Sequence, residues 1–146
     1  MKKGEEKLIK KMINTSFVYL ILALISGVFY REFTKFNGFT EKTTLGVVHT
    51  HLFVLGVLLF LILALFLNNC SNLLENTKIK KFYILYNLSL IMVSITLLVR
   101  GIIQVLNINL SSTMNAALSG FAGISHILLT ISLVLFFFLL KRTIKN

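Results

Sequence analysis

Four long apolar segments constrain this chain more than any other feature of its sequence. They are MINTSFVYLILALISGVFY at 12–30, TLGVVHTHLFVLGVLLFLILALFL at 44–67, FYILYNLSLIMVSITLLVRGIIQVL at 82–106 and SGFAGISHILLTISLVLFFFLL at 119–140. About 20 helical residues, each rising 1.5 Å, cross the roughly 30 Å of hydrocarbon in a bilayer. The segments are too long for strands and lack strict alternation, which argues against a membrane β-barrel. The sequence therefore predicts transmembrane helices.

The length and the spacing of these segments predict the architecture. The 146 residues suit one membrane domain, 1–146, with helices at about 12–32, 44–68, 82–106 and 117–140. Short connections favour antiparallel packing of helices that are neighbours in sequence. An all-α, polytopic, up-down-up-down bundle of four transmembrane helices follows, with the second and fourth helices diagonal across the core. Asn37-Gly38 indicates a turn after the first helix, and Ser111 or Ser112 is a candidate cap for the fourth.

The net charge of +10 is explained by topology rather than by a nucleic-acid partner. Most of the 15 basic residues fall on one side of the predicted membrane, at the two termini and in the middle loop: Lys2, Lys3, Lys7, Lys10, Lys11, Lys78, Lys80, Lys81, Lys141, Arg142 and Lys145. The positive-inside rule then predicts a multi-pass protein of the bacterial cytoplasmic membrane with both termini in the cytoplasm. The lipid bilayer is the expected partner, and the basic charge favours contact with anionic lipid.

Polar and ionisable residues are costly in hydrocarbon, so their positions are the best indication of function. Counting residues along each predicted helix places five such side chains in the outer third of the bilayer: Arg31, His49, His51, Arg100 and His126. The inner two-thirds consists mostly of Leu, Ile, Val and Phe. A single polar layer to which all four helices contribute is typical of a functional site.

Helical geometry separates the two histidines of the second helix. His49 and His51 lie about 200° apart and cannot both face one centre. His49 shares its face with glycines and is the one expected to point inward, although the estimated height of His51 matches that of His126 better. On the fourth helix, His126 shares a face with small residues, which favours an inward orientation for it also.

One imidazole from each of two diagonal helices is the arrangement that holds a haem edge-on inside a bundle. We therefore predict a b-type haem bound by His49 and His126, with His51 as the alternative ligand and Arg31 and Arg100 as partners of the propionates. Electron transfer to a membrane redox partner, or gas or redox sensing, would follow. The alternative is a cofactor-free structural or accessory membrane protein whose histidines only pack. A homo-oligomer is compatible with either interpretation. Zinc or copper is a weaker interpretation, and no catalytic motif assigns an enzymatic reaction.

Three stretches carry a resemblance to a known family. FVYLILALISGVFYREFTKFNGFTEKTTLGVVHTHLFVLG, LVRGIIQVL and SGFAGISHILL resemble a bacterial family of small four-helix membrane proteins classed as a domain of unknown function. Locally, VVHTHLFVLG is similar to the second helix of the catalytic subunit of haem-copper oxidases and nitric oxide reductases, in which an HT dipeptide supplies a low-spin haem ligand. That resemblance implies His49 as the ligand. It implies no oxygen or nitric oxide reduction, because this chain lacks the twelve-helix fold and the copper-binding histidines.

Overall fold

A computed structural model describes residues 3–69 and 77–144, and these form four helices. Helix α1 is Lys3–Phe36, α2 is Leu45–Asn69, α3 is Thr77–Val105 and α4 is Ser112–Ile144. Each is long and apolar enough to cross a membrane, and together they confirm the predicted all-α, four-helix membrane architecture. Lys2 and Lys145, which the topology prediction uses, lie outside the described residues.

Side-chain contacts show that the helices run antiparallel to their neighbours in sequence. Between α1 and α2, Ser16 meets Val57 at one end and Tyr30 lies against Gly46 at the other. Between α3 and α4, the rings of Phe82 and Phe136 stack at 5.0 Å near one end, and Arg100 reaches Ser119 near the other. As the residue number rises in one helix it falls in its partner. The chain therefore runs up, down, up and down.

Helix α3 lies between the α1–α2 pair and α4. Helix α1 packs along the whole of α2, α2 packs on α3, and α4 packs along α3. The core between them is aromatic, because Phe60 on α2 contacts both Tyr19 on α1 and Tyr86 on α3 at ring distances of 5.8 and 5.7 Å. Helix α2 has no extended contact with α4, so the two helices expected to lie diagonally remain apart on either side of α3.

The surface is apolar, as a lipid-facing surface must be. All four helices expose large Leu, Ile, Val and Phe side chains, whereas the α3–α4 contact buries small hydroxyl residues instead. Ser89, Ser125 and Ser132 are fully buried there, and each hydroxyl donates to a carbonyl of its own helix. Small residues let helix backbones approach closely where no hydrophobic effect drives them together.

A π-helical segment interrupts α2. Residues Leu45–His51 and Leu59–Asn69 are α-helical, and Leu52–Leu58 between them has the wider π geometry. Two carbonyls of this segment accept hydrogen bonds from neighbouring helices, from the Tyr86 hydroxyl to Leu55 at 2.7 Å and from the Ser16 hydroxyl to Val57 at 3.0 Å. These hydroxyls compensate backbone groups that would be costly to leave unpaired in a membrane.

The connections at the end of the molecule that carries few lysines follow local sequence signals. Gly38 has a φ of 59°, which confirms the predicted Asn37-Gly38 turn. Asn107 ends α3 with a φ of 50°, the left-handed conformation that Asn tolerates better than most residues. The Ser111 hydroxyl accepts a hydrogen bond from the Met114 amide at 3.3 Å and so caps α4. Ser111 is one of the two serines that the sequence offered as candidate caps.

Candidate functional site in the polar layer

His49 lies in the interface between α2 and α1. A Cβ on Gly27 would be 3.7 Å from the Cβ of His49, an ordinary contact distance, so Gly27 lies directly against the histidine. The ring of Tyr30 is nearly parallel to it, 6.5 Å between centroids and 15° between planes. The Nδ1 atom of His49 is buried and has no hydrogen-bond partner among the described residues. An orphaned ring nitrogen is unusual, because a buried polar atom without a partner is costly.

His51 and His126 have a different environment, and the two share one arrangement. The Nδ1–H of His51 donates to the carbonyl of Val47 at 2.8 Å, and that of His126 donates to Ala122 at 2.7 Å. A neutral imidazole protonated at Nδ1 presents the lone pair of Nε2. Ligand histidines are commonly held in this way, with one ring nitrogen on a carbonyl and the other on the metal. Both rings are therefore chemically suited to ligation.

The structure does not bring His49 and His126 into contact. His49 faces α1, and no ring contact joins it to α4. On α4 the residues that face α3 are Ser125, Leu129 and Ser132, and His126 is about 100° around the helix from Ser125 and exposed. The inward orientation expected from its small neighbours is not observed, since α4 uses its serine face for the contact with α3. His51 is half-buried on the side of α2 opposite His49.

The two arginines of the layer have separate partners. Arg31, at the end of α1, is exposed and forms an ion pair with Glu32. Arg100 on α3 donates from Nη2 to the Ser119 hydroxyl at 2.8 Å, which joins α3 to α4 close to the level of the histidines. Both cations lie toward the lysine-poor ends of their helices, Arg31 near the end of α1 and Arg100 near the end of α3.

Sequence reasoning places Gln104 in this layer but does not find the residues that it contacts. The Gln104 side-chain oxygen accepts a hydrogen bond from the Thr44 amide at 2.8 Å, and the Thr43 hydroxyl donates to the same oxygen at 3.1 Å. A residue of α3 thereby caps the first turn of α2, in addition to the Thr44 hydroxyl that donates to the carbonyl of Leu97 at 2.8 Å. The signal was the Thr-Thr pair ahead of an apolar run, which is typical of a helix start. Its partner across the fold could not be read from the sequence.

Close packing also locks α2 against α3 at this level. A Cβ on Gly101 would be 2.5 Å from Cγ of Leu45 and 2.6 Å from its backbone nitrogen. Leu45 begins α2, four residues before His49, so this glycine determines how closely the histidine-bearing turn approaches α3. The π-helical segment follows directly after His51, and such segments are frequent at functional sites.

Three-ligand metal binding has no basis in residues 3–69 and 77–144, where no three His, Cys, Asp or Glu side chains group together. The histidines of this layer therefore stand apart from one another, two on α2 and one on α4.

Comparison with known proteins identifies a family but no activity. A family model described as a protein of unknown function, DUF2871, matches residues 9–143. No similarity to a curated protein or to a solved structure was found. Because the match covers nearly the whole chain, this protein belongs to the DUF2871 family.

Proposed function

We propose that this membrane protein binds a b-type haem in the polar layer, through one histidine of α2 and His126 of α4, for electron transfer or for gas or redox sensing. The observation that carries the proposal is the buried Nδ1 of His49, which has no partner among the described residues. A ring nitrogen left unpaired inside a membrane helix is explained when the imidazole serves a group other than the protein itself.

The imidazole chemistry fits such a group, whereas the helix arrangement does not bring the two ligands together. His126 and His51 each hold Nδ1–H on a carbonyl of their own helix, which leaves Nε2 as the free nitrogen. Helices α2 and α4 do not pack against each other, because α3 lies between them, so a haem shared by their histidines would require α4 to sit differently against α3. When bound, the haem would supply a one-electron couple whose potential the axial imidazoles set.

The protein's own residues would orient the group and balance its charge. His49 is the α2 ligand predicted from its helix face and from the HT resemblance, and its buried Nδ1 has no partner among the described residues. His51 is the alternative, and its ring is anchored through Nδ1 in the way that leaves Nε2 for ligation. Arg100, fixed to Ser119, and Arg31, beside Glu32, are the cations available to the propionates. We also infer that the lysine-rich end of the molecule faces the cytoplasm.

The test is the visible spectrum of the protein purified after expression with haem supply. We expect a Soret band that His49→Ala and His126→Ala each abolish or shift, and that His51→Ala leaves in place. Circular dichroism of each variant shows that the helices are retained. A wild-type protein without a Soret band would refute haem binding, and a band lost in His51→Ala but kept in His49→Ala would reassign the α2 ligand.

The second candidate function is that of a cofactor-free structural or accessory membrane protein. It is favoured by the contacts of His49 with Gly27 and Tyr30, which place the ring in the α1–α2 interface. In that case all three histidine variants give the same featureless visible spectrum as the wild type, and their only effect is on stability.

A further inference from the structure

A groove between α1 and α3 begins among lysines and continues into the apolar part of the molecule. Its first cavity, of about 520 Å³, has Lys7, Lys10 and Lys11 at its mouth and Val18 and Leu22 further along α1. All three lysines lie in the two helical turns that immediately precede the apolar part of α1, at the lysine-rich end of the molecule. The groove is thus positively charged at the membrane boundary and apolar inside.

Polar side chains on the floor of this groove satisfy one another. The hydroxyls of Thr15 and Tyr83 are 2.8 Å apart, and the Tyr19 hydroxyl donates to the side-chain Oδ1 of Asn87 at 2.8 Å. The ammonium of Lys11 lies 4.0 Å from the centre of the Tyr83 ring. None of the three lysines forms an ion pair with a carboxylate of the described residues, where only Arg31 and Glu32 are paired in this way. The ammonium groups at the mouth therefore have no anionic partner within this part of the chain.

Two further cavities extend the groove in opposite directions. Towards the lysine-poor end, Tyr19, Leu22 and Ile91 are shared with an almost wholly apolar cavity of about 340 Å³ between α1, α2 and α3. On the other side of Tyr83, Lys7 and Lys11 also line a cavity of about 410 Å³ that adds Lys80 from α3. The shared residues thus join a cluster of cations to an apolar cavity further along the helices.

We propose that this groove is a binding site for an anionic phospholipid, with its phosphate at Lys7, Lys10 and Lys11 and an acyl chain along Val18, Leu22 and Ile91. Ammonium groups at a membrane surface attract anionic headgroups, and the apolar cavity begins where the headgroup region ends. A soluble anion would leave the cavity unfilled, and a neutral lipid would leave the lysines without a counter-charge. The site is independent of haem binding, because it lies at the opposite end of the helices.

The chain contains no Trp, so a single introduced Trp reports its local lipid without background. The probe Val18→Trp lies at the rim of the groove, and the control Val134→Trp lies on the exposed face of α4. The two sites are each about two helical turns from a lysine of their own helix, Lys11 and Lys141, and are thus at similar depth. Both proteins are placed in vesicles in which either phosphatidylglycerol or phosphatidylcholine, but not both, carries brominated chains that quench Trp fluorescence.

We expect the Val18→Trp probe to favour phosphatidylglycerol about fivefold over its share of the bilayer, the factor that one well-placed lysine supplies. The Val134→Trp control should follow the bulk composition. Adding Lys7→Gln, Lys10→Gln and Lys11→Gln should remove the preference, whereas the charge-matched set Lys35→Gln, Lys42→Gln and Lys141→Gln should retain it. Equal quenching of probe and control in the unmodified lysine background overturns the proposal, as does a preference that survives the groove substitutions.

Discussion

Replacing Gly101 with Ala tests the closest contact between α2 and α3. The added Cβ would lie 2.5 Å from Cγ of Leu45 and 2.6 Å from its backbone nitrogen, distances at which one helix must move. Overpacking of this kind costs about 1–3 kcal/mol, and a clash with backbone belongs at the upper end because no rotamer relieves it. The better helix propensity of Ala returns up to about 1 kcal/mol. We therefore expect Gly101→Ala to lower the free energy of unfolding by about 1–2 kcal/mol.

The matched control for this substitution is Gly120→Ala on α4. Nothing lies within 4 Å of the Cβ position there, so only the gain in helix propensity applies and the protein should be as stable as wild type or slightly more so. Both variants are unfolded reversibly in mixed micelles by increasing the fraction of dodecyl sulfate, with circular dichroism as the readout. Equal unfolding free energies for the two variants would refute the close α2–α3 approach.

Two further substitutions test the polar contacts that hold α2. Tyr86→Phe removes the hydroxyl that donates to the Leu55 carbonyl of the π-helical segment, and we expect a loss of about 0.6–2 kcal/mol in the same unfolding assay; an unchanged stability would contradict a role for this bond. Gln104→Leu removes the oxygen that accepts from the Thr44 amide, and a loss of about 1 kcal/mol is expected. Amide exchange at Thr44 should accelerate with it, and unaltered exchange there would show that Gln104 does not cap α2.

The two proposed sites can be tested separately, since they share no residue. The haem spectrum depends on His49, His51 and His126, and the lipid preference depends on lysines of α1. A histidine variant that loses the Soret band should keep its preference for anionic lipid. The Lys7, Lys10 and Lys11 substitutions should in turn leave the spectrum unchanged. Loss of both properties in either set of variants would indicate a folding defect.

The sequence by itself determined the four helices, their antiparallel order and the local signals in the two connections at the lysine-poor end. A run of about 20 apolar residues without strict alternation crosses a membrane as a helix, because a helix satisfies almost all of its backbone hydrogen bonds within the segment. Local chemistry was equally readable, since Gly38 adopts the positive φ of the predicted turn and Ser111 caps α4. The two histidines of α2 were correctly separated, because an interval of two residues always places side chains on opposite sides of a helix.

Only the tertiary structure decided which helix each face meets. The side of a membrane helix that faces lipid and the side that faces protein are both apolar, so sequence alone does not distinguish them. For this reason the sequence did not reveal that α4 contacts α3 through Ser125 and Ser132 and leaves His126 exposed. Nor did it reveal the π-helical turn after His51, whose carbonyls are satisfied by hydroxyls from α1 and α3. The helical period shows on which face of its own helix a side chain lies. The residue that this side chain contacts on another helix depends on how whole helices pack. Packing in turn depends on contacts such as Gly101 with Leu45, which lie far apart in the chain.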